Sequence, residues 1–506
     1  MLIYNEDTDF RFYLVEAGTM TAEKLDINVD GLDGSGVGLY LVCPNCMKAN
    51  FPSKVLETFT DGFDANLGMD QKCFNGEIGE WGYRRAANIQ ALERHGIDSN
   101  AYLLRRAREK GFGTGVTVRM NDHHGCHLKR SLFMGDYYFS HPELLLENVP
   151  REPIYDFSHP EVRERMTRFV VEVMDRYEPD WIDIDWLRHL PHFEPGKGAD
   201  NAGLITEMMA DIRHAADERE KKFGHAIRIC GTVPSRYELA VYHGLDAAAW
   251  ADRKLVDVII LGQLLFRNGF IDPGSWRPHL ADPAFPVAVR IECFQNAYPG
   301  GPRQNSPLPE VPGAFEKVVR FTRGAAWSAH HRTADHLEFF NYHRVRHDPA
   351  GSALFADCVS PETLRGKERW FAVGYDDVDM PCDLYYNGWR QPGVFEKYIA
   401  EALADGSYPY ALPRRIGPGR IEKFLFPSGP VPEPEARLRA VFSGVPADAR
   451  VTLGGVPGVF REGGWDFPAG TRVSEDATVE VASPPEKECY VTEAVLQVRF
   501  PEKEKE

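Results

Sequence analysis

The chain has 506 residues, of which 43% are hydrophobic, and this is enough to bury one barrel-sized core together with a smaller module. Its formal net charge is −17, and no block rich in lysine and arginine interrupts this acidic balance. These properties exclude a disordered or fibrous protein and argue against a nucleic acid or an anionic membrane as partner.

The N-terminus reads MLIYNEDTDF, without a basic segment, an apolar core or a small-residue cleavage site. The sequence also contains no run of about 18 apolar residues, the length that a membrane-spanning helix requires. We therefore expect a soluble, cytoplasmic protein.

Short apolar runs alternate with segments of helical periodicity over the first 345 residues, a pattern typical of β/α folds. Eight such runs occur, at residues 2–9, 38–45, 115–122, 181–189, 227–235, 256–263, 287–294 and 336–344. Each run begins apolar and ends polar, as barrel strands do when they emerge at a catalytic rim. The pattern predicts an α/β protein with a (β/α)8 TIM barrel, although a doubly wound open sheet remains the alternative.

Two of the intervening helices can be placed by their residues. Apolar side chains at helical spacing between Val162 and Tyr177 predict one helix, with Ser158 and Glu161 in a capping-box pattern. Another is expected from 100 to 110, with Ser99 or Asp98 as its cap.

Beyond about residue 360, proline and glycine become frequent and the strand-like pieces alternate in polarity, as in RLRAVF and ATVEVAS. We therefore predict a catalytic barrel over 1–355 and a β-rich, sandwich-like domain over 356–506. The segment 427–437 is expected to be a linker or long loop.

The nine cysteines include one CxxC pair, Cys43 and Cys46. No second pair stands at the spacing of a zinc site, so these residues are interpreted as loop thiols. We expect no disulfide framework, metal or cofactor.

Polar clusters follow the first and third strands. Residues 5–9 read NEDTD, and 119–127 read RMNDHHGCH, which places three histidines beside an arginine and an aspartate. Such density at a strand end favours proton transfer, substrate binding or metal ligation.

The fourth strand adds Asp183 and Asp185 on one face, followed by Arg188. These aspartates either contact substrate hydroxyls or hold Arg119 and Arg188 in place. The same two roles, contact with substrate or a structural bond inside the rim, are open for four residues of the seventh and eighth strands: Arg290, Glu292, Asn341 and His343.

Read together, IYNEDTD, TVRMNDHHGCH, IDIDWLRH and FFNYH resemble the family-10-like barrel glycosidases, and within them glycoside hydrolase family 156, the inverting exo-sialidases. The resemblance covers the whole barrel in order. It implies hydrolysis of terminal α-linked sialic acids by single displacement, with an aspartate base and a histidine acid.

Carried onto this chain, the resemblance implies Asp7 as base, with Asp9 as its rival. It implies His127 as acid, with His123 and His124 as alternatives. The substrate-binding residues expected around them are Arg119, Asn121, His123, His124, Asp185, Arg188 and Asn341. The substrate carboxylate should meet arginine or amide donors, for which Arg119, Arg188 and Asn341 are the candidates. Sialylated glycans or sialosides are the expected partners, and a homodimer is left open.

Three alternatives stay open: a barrel glycosidase for another sugar that uses strand-end carboxylates (Asp7, Asp183, Asp185, Glu292), a metal-dependent hydrolase that uses Asp122 with the three histidines, and a non-catalytic carbohydrate-binding barrel.

Overall fold

The computed structural model describes residues 1–7, 10–69, 71, 79–122, 134–147, 154–263, 271–293, 314–342, 349–373, 412 and 414–501. Eight parallel strands close into a barrel, with each strand paired to its neighbours in sequence and β8 paired to β1. The strands are β1 (Leu2–Glu6), β2 (Val37–Val42), β3 (Gly113–Arg119), β4 (Trp181–Asp185), β5 (Arg228–Pro234), β6 (Val258–Gly262), β7 (Val287–Glu292) and β8 (His336–Phe340). The predicted barrel is confirmed, and the open sheet is excluded.

Helices lie between the strands and after the last one. They are α1 (Phe10–Tyr13), α2 (Ala22–Asp30), α3 (Gly79–Arg94), α4 (Ser99–Glu109), α5 (Asp136–Ser140), α6 (Pro160–Tyr177), α7 (Gly198–Phe223), α8 (Tyr237–Tyr242), α9 (Ala247–Asp252), α10 (Ala314–His331), α11 (Pro349–Asp357) and α12 (Pro361–Leu364). No helix in the described part of the chain is long and apolar enough to cross a membrane.

The apolar face predicted for α6 is buried, but the capping prediction is wrong. The helix begins at Pro160, and its N-cap is His159, which makes no side-chain capping bond. Proline suits the first helical position because it has no N–H to satisfy there. For α4, the Asp98 carboxylate caps the backbone amides of Asn100 and Ala101, as expected.

The inside of the barrel is apolar at its base. Eight inward side chains from six strands form a separate buried cluster: Ile3, Leu39, Leu41, Trp181, Cys230, Val258, Ile260 and Ala288. Because side chains alternate along a strand, the next inward positions after Ile3, Trp181 and Ala288 are Asn5, Asp183 and Arg290. The interior therefore changes from apolar to polar toward the carboxyl ends of the strands.

The C-terminal part is β-rich, as predicted. Its strands are β9 (Arg369–Ala372), β10 (Arg414–Ile416), β11 (Ile421–Phe426), β12 (Arg437–Ser443), β13 (Arg450–Leu453), β14 (Val456–Pro457), β15 (Val459–Arg461), β16 (Gly464–Asp466), β17 (Ala477–Ala482), β18 (Cys489–Val491) and β19 (Glu493–Arg499). They form sheets of order β10-β18, β11-β17-β13-β14 and β15-β16-β12-β19-β9. Rings from two sheets meet where Phe424 and Phe442 lie 5.2 Å apart. The division at residues 355 and 356 stays a prediction.

Candidate functional site

A buried ion-pair network fills the barrel above its apolar base. Arg290 on β7 donates to Glu338 of β8 at 2.7 Å and to Asp185 of β4 at 3.0 Å. Its Nη2 also lies 3.5 Å from Asp183. One guanidinium thus joins carboxylates from two other strands. The partner of Asp183 and Asp185 is therefore Arg290, whereas Arg119 and Arg188 were expected from the sequence.

Asp183 is the deepest of these carboxylates that the sequence had singled out. Thr117 and Thr232 donate their hydroxyls to its two oxygens, at 2.6 and 2.7 Å. Burial, reinforced by the negative charge of Glu338, raises the pKa of Asp183 to about 8. Both oxygens have protein partners, so Asp183 belongs to the packed interior of the barrel.

Asp185 connects this network to the loop after β4. One carboxylate oxygen binds Arg290, while the other accepts the backbone amides of Leu187 and Arg188, at 3.0 and 3.2 Å. Asp185 therefore fixes the turn that carries Arg188. Its predicted contact with substrate stays a prediction.

A second ion-pair group lies at the mouth, around Asp7. Arg119, at the end of β3, places Nη2 2.9 Å from Asp7 and Nη1 3.2 Å from Asp122. Asp7 is 5% exposed, and Arg119 and Asp122 are buried more completely. Asp7 is thus a buried, arginine-bound carboxylate rather than a solvated turn residue.

Arg188 approaches the same carboxylate oxygen of Asp7. Its Nη2 lies 4.0 Å from Asp7, and its guanidinium carbon lies 5.7 Å from the centre of the Phe340 ring. Within the described part of the chain, the buried Nε of Arg188 has no hydrogen-bond acceptor. The structure therefore brings Asp7, Arg119 and Arg188 together, and Arg188 retains a donor that it does not use.

His189 follows Arg188 directly and was not among the predicted site residues. Its Nδ1 lies 3.4 Å from Asp122, and its backbone φ is 59°, in the left-handed region. Non-glycine residues seldom adopt this conformation, and those that do are concentrated at functional sites. A buried aspartate beside an imidazole can orient the ring for proton transfer or binding. The sequence signal was available, because His189 ends the polar segment after β4.

Asn341 lies at the end of β8 and also has a left-handed backbone, with φ 64°. Its Nδ2 donates to Glu292 of β7 at 2.5 Å. Deeper in the barrel, Asn5 donates to Glu338 in the same way, at 2.7 Å. Glu338 was not among the residues predicted from the sequence, although two-residue alternation from His336 places it inward.

The other predicted residues are less informative. The Asn121 side chain donates to the carbonyl of Tyr155 at 3.0 Å. Asp9, His343 and the three histidines His123, His124 and His127 lie outside the described residues. The choice among those histidines and the metal-site alternative, which depends on them, stay predictions. Elsewhere, no group of three or more potential ligands is placed to hold a metal ion within the described residues.

The CxxC pair follows the carboxyl end of β2. Cys43 and Cys46 are both buried and form no disulfide, and burial raises the pKa of the Cys43 thiol to about 11. Arg119 donates to the sulfur of Cys46 at 3.3 Å. The pair is therefore packed against the arginine that binds Asp7.

No family model matches the sequence, and no curated protein matches it. Among solved structures, the chain is similar to an alpha-L-fucosidase isoenzyme from Paenibacillus thiaminolyticus, at 12% identity and a TM-score of 0.42. That match covers 73% of this chain and 51% of the fucosidase, so it spans about half of that protein. An Anoxybacillus alpha-amylase matches at 8% identity and a TM-score of 0.40, over 95% and 97% of the two chains. At such values the likeness carries no conclusion about activity, and only this chain's own residues bear on its function.

Proposed function

We propose that the protein is a glycoside hydrolase that removes terminal α-linked sialic acid by single displacement, with inversion at the anomeric carbon. The observation that carries this proposal is the pairing of a buried, arginine-bound carboxylate, Asp7, with Arg188, a neighbouring guanidinium that has an unused buried donor. Asp7 then acts in catalysis, and Arg188 binds the negative charge of an acidic substrate.

Asp7 is assigned as the base that activates water. A base must be ionised, and an adjacent guanidinium favours the ionised form of a carboxylate. Arg119, at 2.9 Å, supplies that charge and also fixes the carboxylate in space. In an inverting enzyme, the activated water then attacks the anomeric carbon from the face opposite the leaving group.

Arg188 is assigned to the carboxylate that sialosides carry on the anomeric carbon. Guanidinium groups bind carboxylates through two parallel hydrogen bonds, and burial strengthens these bonds because water competes less. Asp185 holds the backbone of this arginine through its amide. A neutral sugar would leave the guanidinium without this partner.

The acid is assigned to His127, on the resemblance to the inverting exo-sialidases. A protonated imidazole suits this substrate because it donates a proton and also attracts the neighbouring carboxylate. With ordinary pKa values of about 6.5 for histidine and about 3.9 for aspartate, the active pair of imidazolium and carboxylate is most populated between them. The rate should therefore follow a bell-shaped profile on the acid side of neutral.

The test is to incubate the protein with an aryl α-sialoside and follow the released sugar by proton NMR. Early appearance of the β anomer supports both the substrate and inversion, whereas early α anomer excludes single displacement. A panel of neutral aryl glycosides is the matched control. Hydrolysis of a neutral glycoside without hydrolysis of the sialoside would overturn the proposal.

Two variants distinguish the role of the base from that of the acid. Asp7→Asn should abolish most of the turnover, because general-base catalysis contributes about 100-fold to 10,000-fold. His127→Ala should lose turnover of poor leaving groups but recover with an activated aryl group, which needs no acid. Recovery in Asp7→Asn instead would reverse the assignments.

The second candidate is a barrel glycosidase for another sugar. Of its proposed carboxylates, Asp183 and Asp185 bind Arg290, whereas Glu292 binds the Asn341 amide at the mouth. In a glycosidase of this kind, Glu292 would be the second catalytic carboxylate, together with Asp7. Hydrolysis of a neutral glycoside that is lost in both Asp7→Asn and Glu292→Gln would favour it.

A further inference from the structure

Two asparagines in the barrel are held by glutamates through their amide nitrogens. Asn341 donates to Glu292 at 2.5 Å, and Asn5 donates to Glu338 at 2.7 Å. An ionised carboxylate can only accept hydrogen bonds, so in each pair the NH2 end of the amide must face the glutamate. The carbonyl oxygen of each asparagine is thereby turned away from its glutamate.

The carbonyl oxygen of Asn341 is buried and accepts no hydrogen bond from any residue in the described part of the chain. The residue as a whole is 4% exposed. Buried acceptors are nearly always satisfied in folded proteins, and an unsatisfied one requires an explanation. A ligand that brings its own donor provides one, and the left-handed backbone of Asn341, with φ 64°, agrees with a functional constraint.

Asn341 is linked to the groups assigned to the substrate through its neighbour in the chain, Phe340. It follows Phe340, the residue whose ring lies 5.7 Å from the guanidinium carbon of Arg188. Phe340 is also paired in register with Asn5 of β1, the strand that leads into Asp7. The unused acceptor of Asn341 and the unused donor of Arg188 therefore belong to one mouth, at the ends of β8, β1 and β4.

We propose that Asn341, oriented by Glu292, accepts a hydrogen bond from a hydroxyl group of the same acidic sugar whose carboxylate binds Arg188. The inference rests on the proposed function and deepens it. It replaces the expectation that Asn341 donates to the substrate carboxylate, because its donor is already used by Glu292 and its remaining oxygen would repel an anion. Glu292 is then a positioning residue, and the site selects sugars that are both acidic and hydroxylated at one defined position.

The experiment compares an aryl sialoside with analogues in which each hydroxyl in turn is replaced by hydrogen or by fluorine. The kcat/KM of each analogue is measured for the natural protein, Asn341→Ala and Glu292→Gln. Asn201→Ala is the control, because Asn201 lies on α7 and its side chain bonds only to the exposed carbonyl of Lys197 among the described residues. Fluorine accepts weakly but cannot donate, so it separates the two possible orientations of the amide.

For one position, the natural protein and Asn201→Ala should lose roughly 10-fold to 100-fold with the deoxy analogue, because a buried acceptor is left unpaired. The fluoro analogue should lose as much. Asn341→Ala should hydrolyse the parent and both analogues at nearly equal rates. Glu292→Gln should fold normally and tolerate the fluoro analogue better than the natural protein does, since a glutamine can donate to the carbonyl of Asn341 and so permit the amide to turn.

Two results overturn the inference without touching the proposed function, provided that the parent sialoside is hydrolysed. One is an unchanged penalty in Asn341→Ala at every position, and the other is full tolerance of fluorine by the natural protein. If the natural protein does not hydrolyse the parent, the proposed function fails and this inference fails with it.

Discussion

Arg119 and Asp7 form a buried ion pair at the mouth of the barrel, with Nη2 of the arginine 2.9 Å from the carboxylate. The same guanidinium also binds Asp122, so a single side chain from β3 fixes a carboxylate from β1 and one from its own loop. Residues that are far apart in the sequence thereby hold the proposed catalytic carboxylate in one orientation.

Replacement of Arg119 by glutamine should destabilise the fold and abolish most turnover. It removes the guanidinium that contacts both buried carboxylates, Asp7 and Asp122, and breaking a buried pair costs about 3 to 5 kcal/mol. Urea denaturation measures the loss of stability, and aryl sialoside hydrolysis measures the loss of rate. Arg105→Gln is the control, since the Arg105 side chain is 65% exposed. Equal stability of the two variants would contradict the buried pairing.

Arg188→Gln should reduce hydrolysis of the sialoside more than it reduces the stability of the fold. The loss of a charged hydrogen bond to the sialoside carboxylate should lower kcat/KM roughly 10-fold to 100-fold. A neutral aryl glycoside, if hydrolysed, should be affected much less. Steady-state kinetics with both substrates check this prediction, again with Arg105→Gln as control. An equal loss for charged and neutral substrates would show that Arg188 does not bind the carboxylate.

Asp183 should make the protein less stable as the pH rises. Its pKa in the folded protein is raised to about 8, whereas an unfolded aspartate has a pKa of about 3.9. Between these values the folded chain holds a proton that the unfolded chain has released, so rising pH favours unfolding, by at most about 1.4 kcal/mol per pH unit.

Asp183→Asn removes that titration and should flatten this part of the profile. The measurement is urea denaturation of both proteins at several pH values between about 5 and 8, the window in which the two protonation states differ. The difference in stability between the variant and the natural protein should shift in favour of the variant as the pH rises. Parallel profiles would refute the raised pKa.

Buried histidines should make the protein less stable as the pH falls below neutral. Burial lowers the pKa of His192 to about 4 and that of His243 to about 3. An unfolded histidine takes up a proton at about pH 6.5, so stability is lost as the pH falls from there toward the folded values. His192→Gln keeps a donor for the Trp186 carbonyl and should reduce this acid sensitivity. Thermal unfolding near pH 7 and pH 4.5 tests it, and His214→Gln, at a side chain 76% exposed, should leave the sensitivity unchanged.

Gly324 marks a close contact between α10 and β9. A Cβ on this glycine would lie 2.0 Å from the carbonyl oxygen of Trp370, a backbone atom that cannot turn aside. Gly324→Ala should therefore destabilise the protein by at least about 1 to 3 kcal/mol. Gly203→Ala is the matched control on α7, where a Cβ would meet no atom within 4 Å and should stabilise the helix by roughly 0.5 to 1 kcal/mol. Thermal melts of the two variants should move in opposite directions.

The barrel could be predicted from the sequence because its evidence is local. A buried parallel strand is a short apolar run, such as VDVIIL before Gly262. This pattern can be recognised without knowledge of the residues that pack against the strand. The polar residues at the ends of those runs also predict a polar rim, and Asp7, Arg119 and Arg188 are among the residues predicted there. The Ser158 cap was misread because several residues near Pro160 can cap, and the path of the chain decides among them.

The pairing of the polar side chains was decided by tertiary structure alone. Closure of the barrel brings β7 beside β8 and across from β4, so Arg290 rather than Arg119 binds Asp183 and Asp185, and Glu292 holds Asn341. Charge and hydrogen-bond partners depend on distances of a few ångströms between residues that are far apart in the sequence, 49 positions for Asn341 and Glu292 and 105 for Arg290 and Asp185. The sequence therefore determined which groups stand at the rim, and the fold decided which of them neutralise one another and which keep an unused donor or acceptor for a ligand.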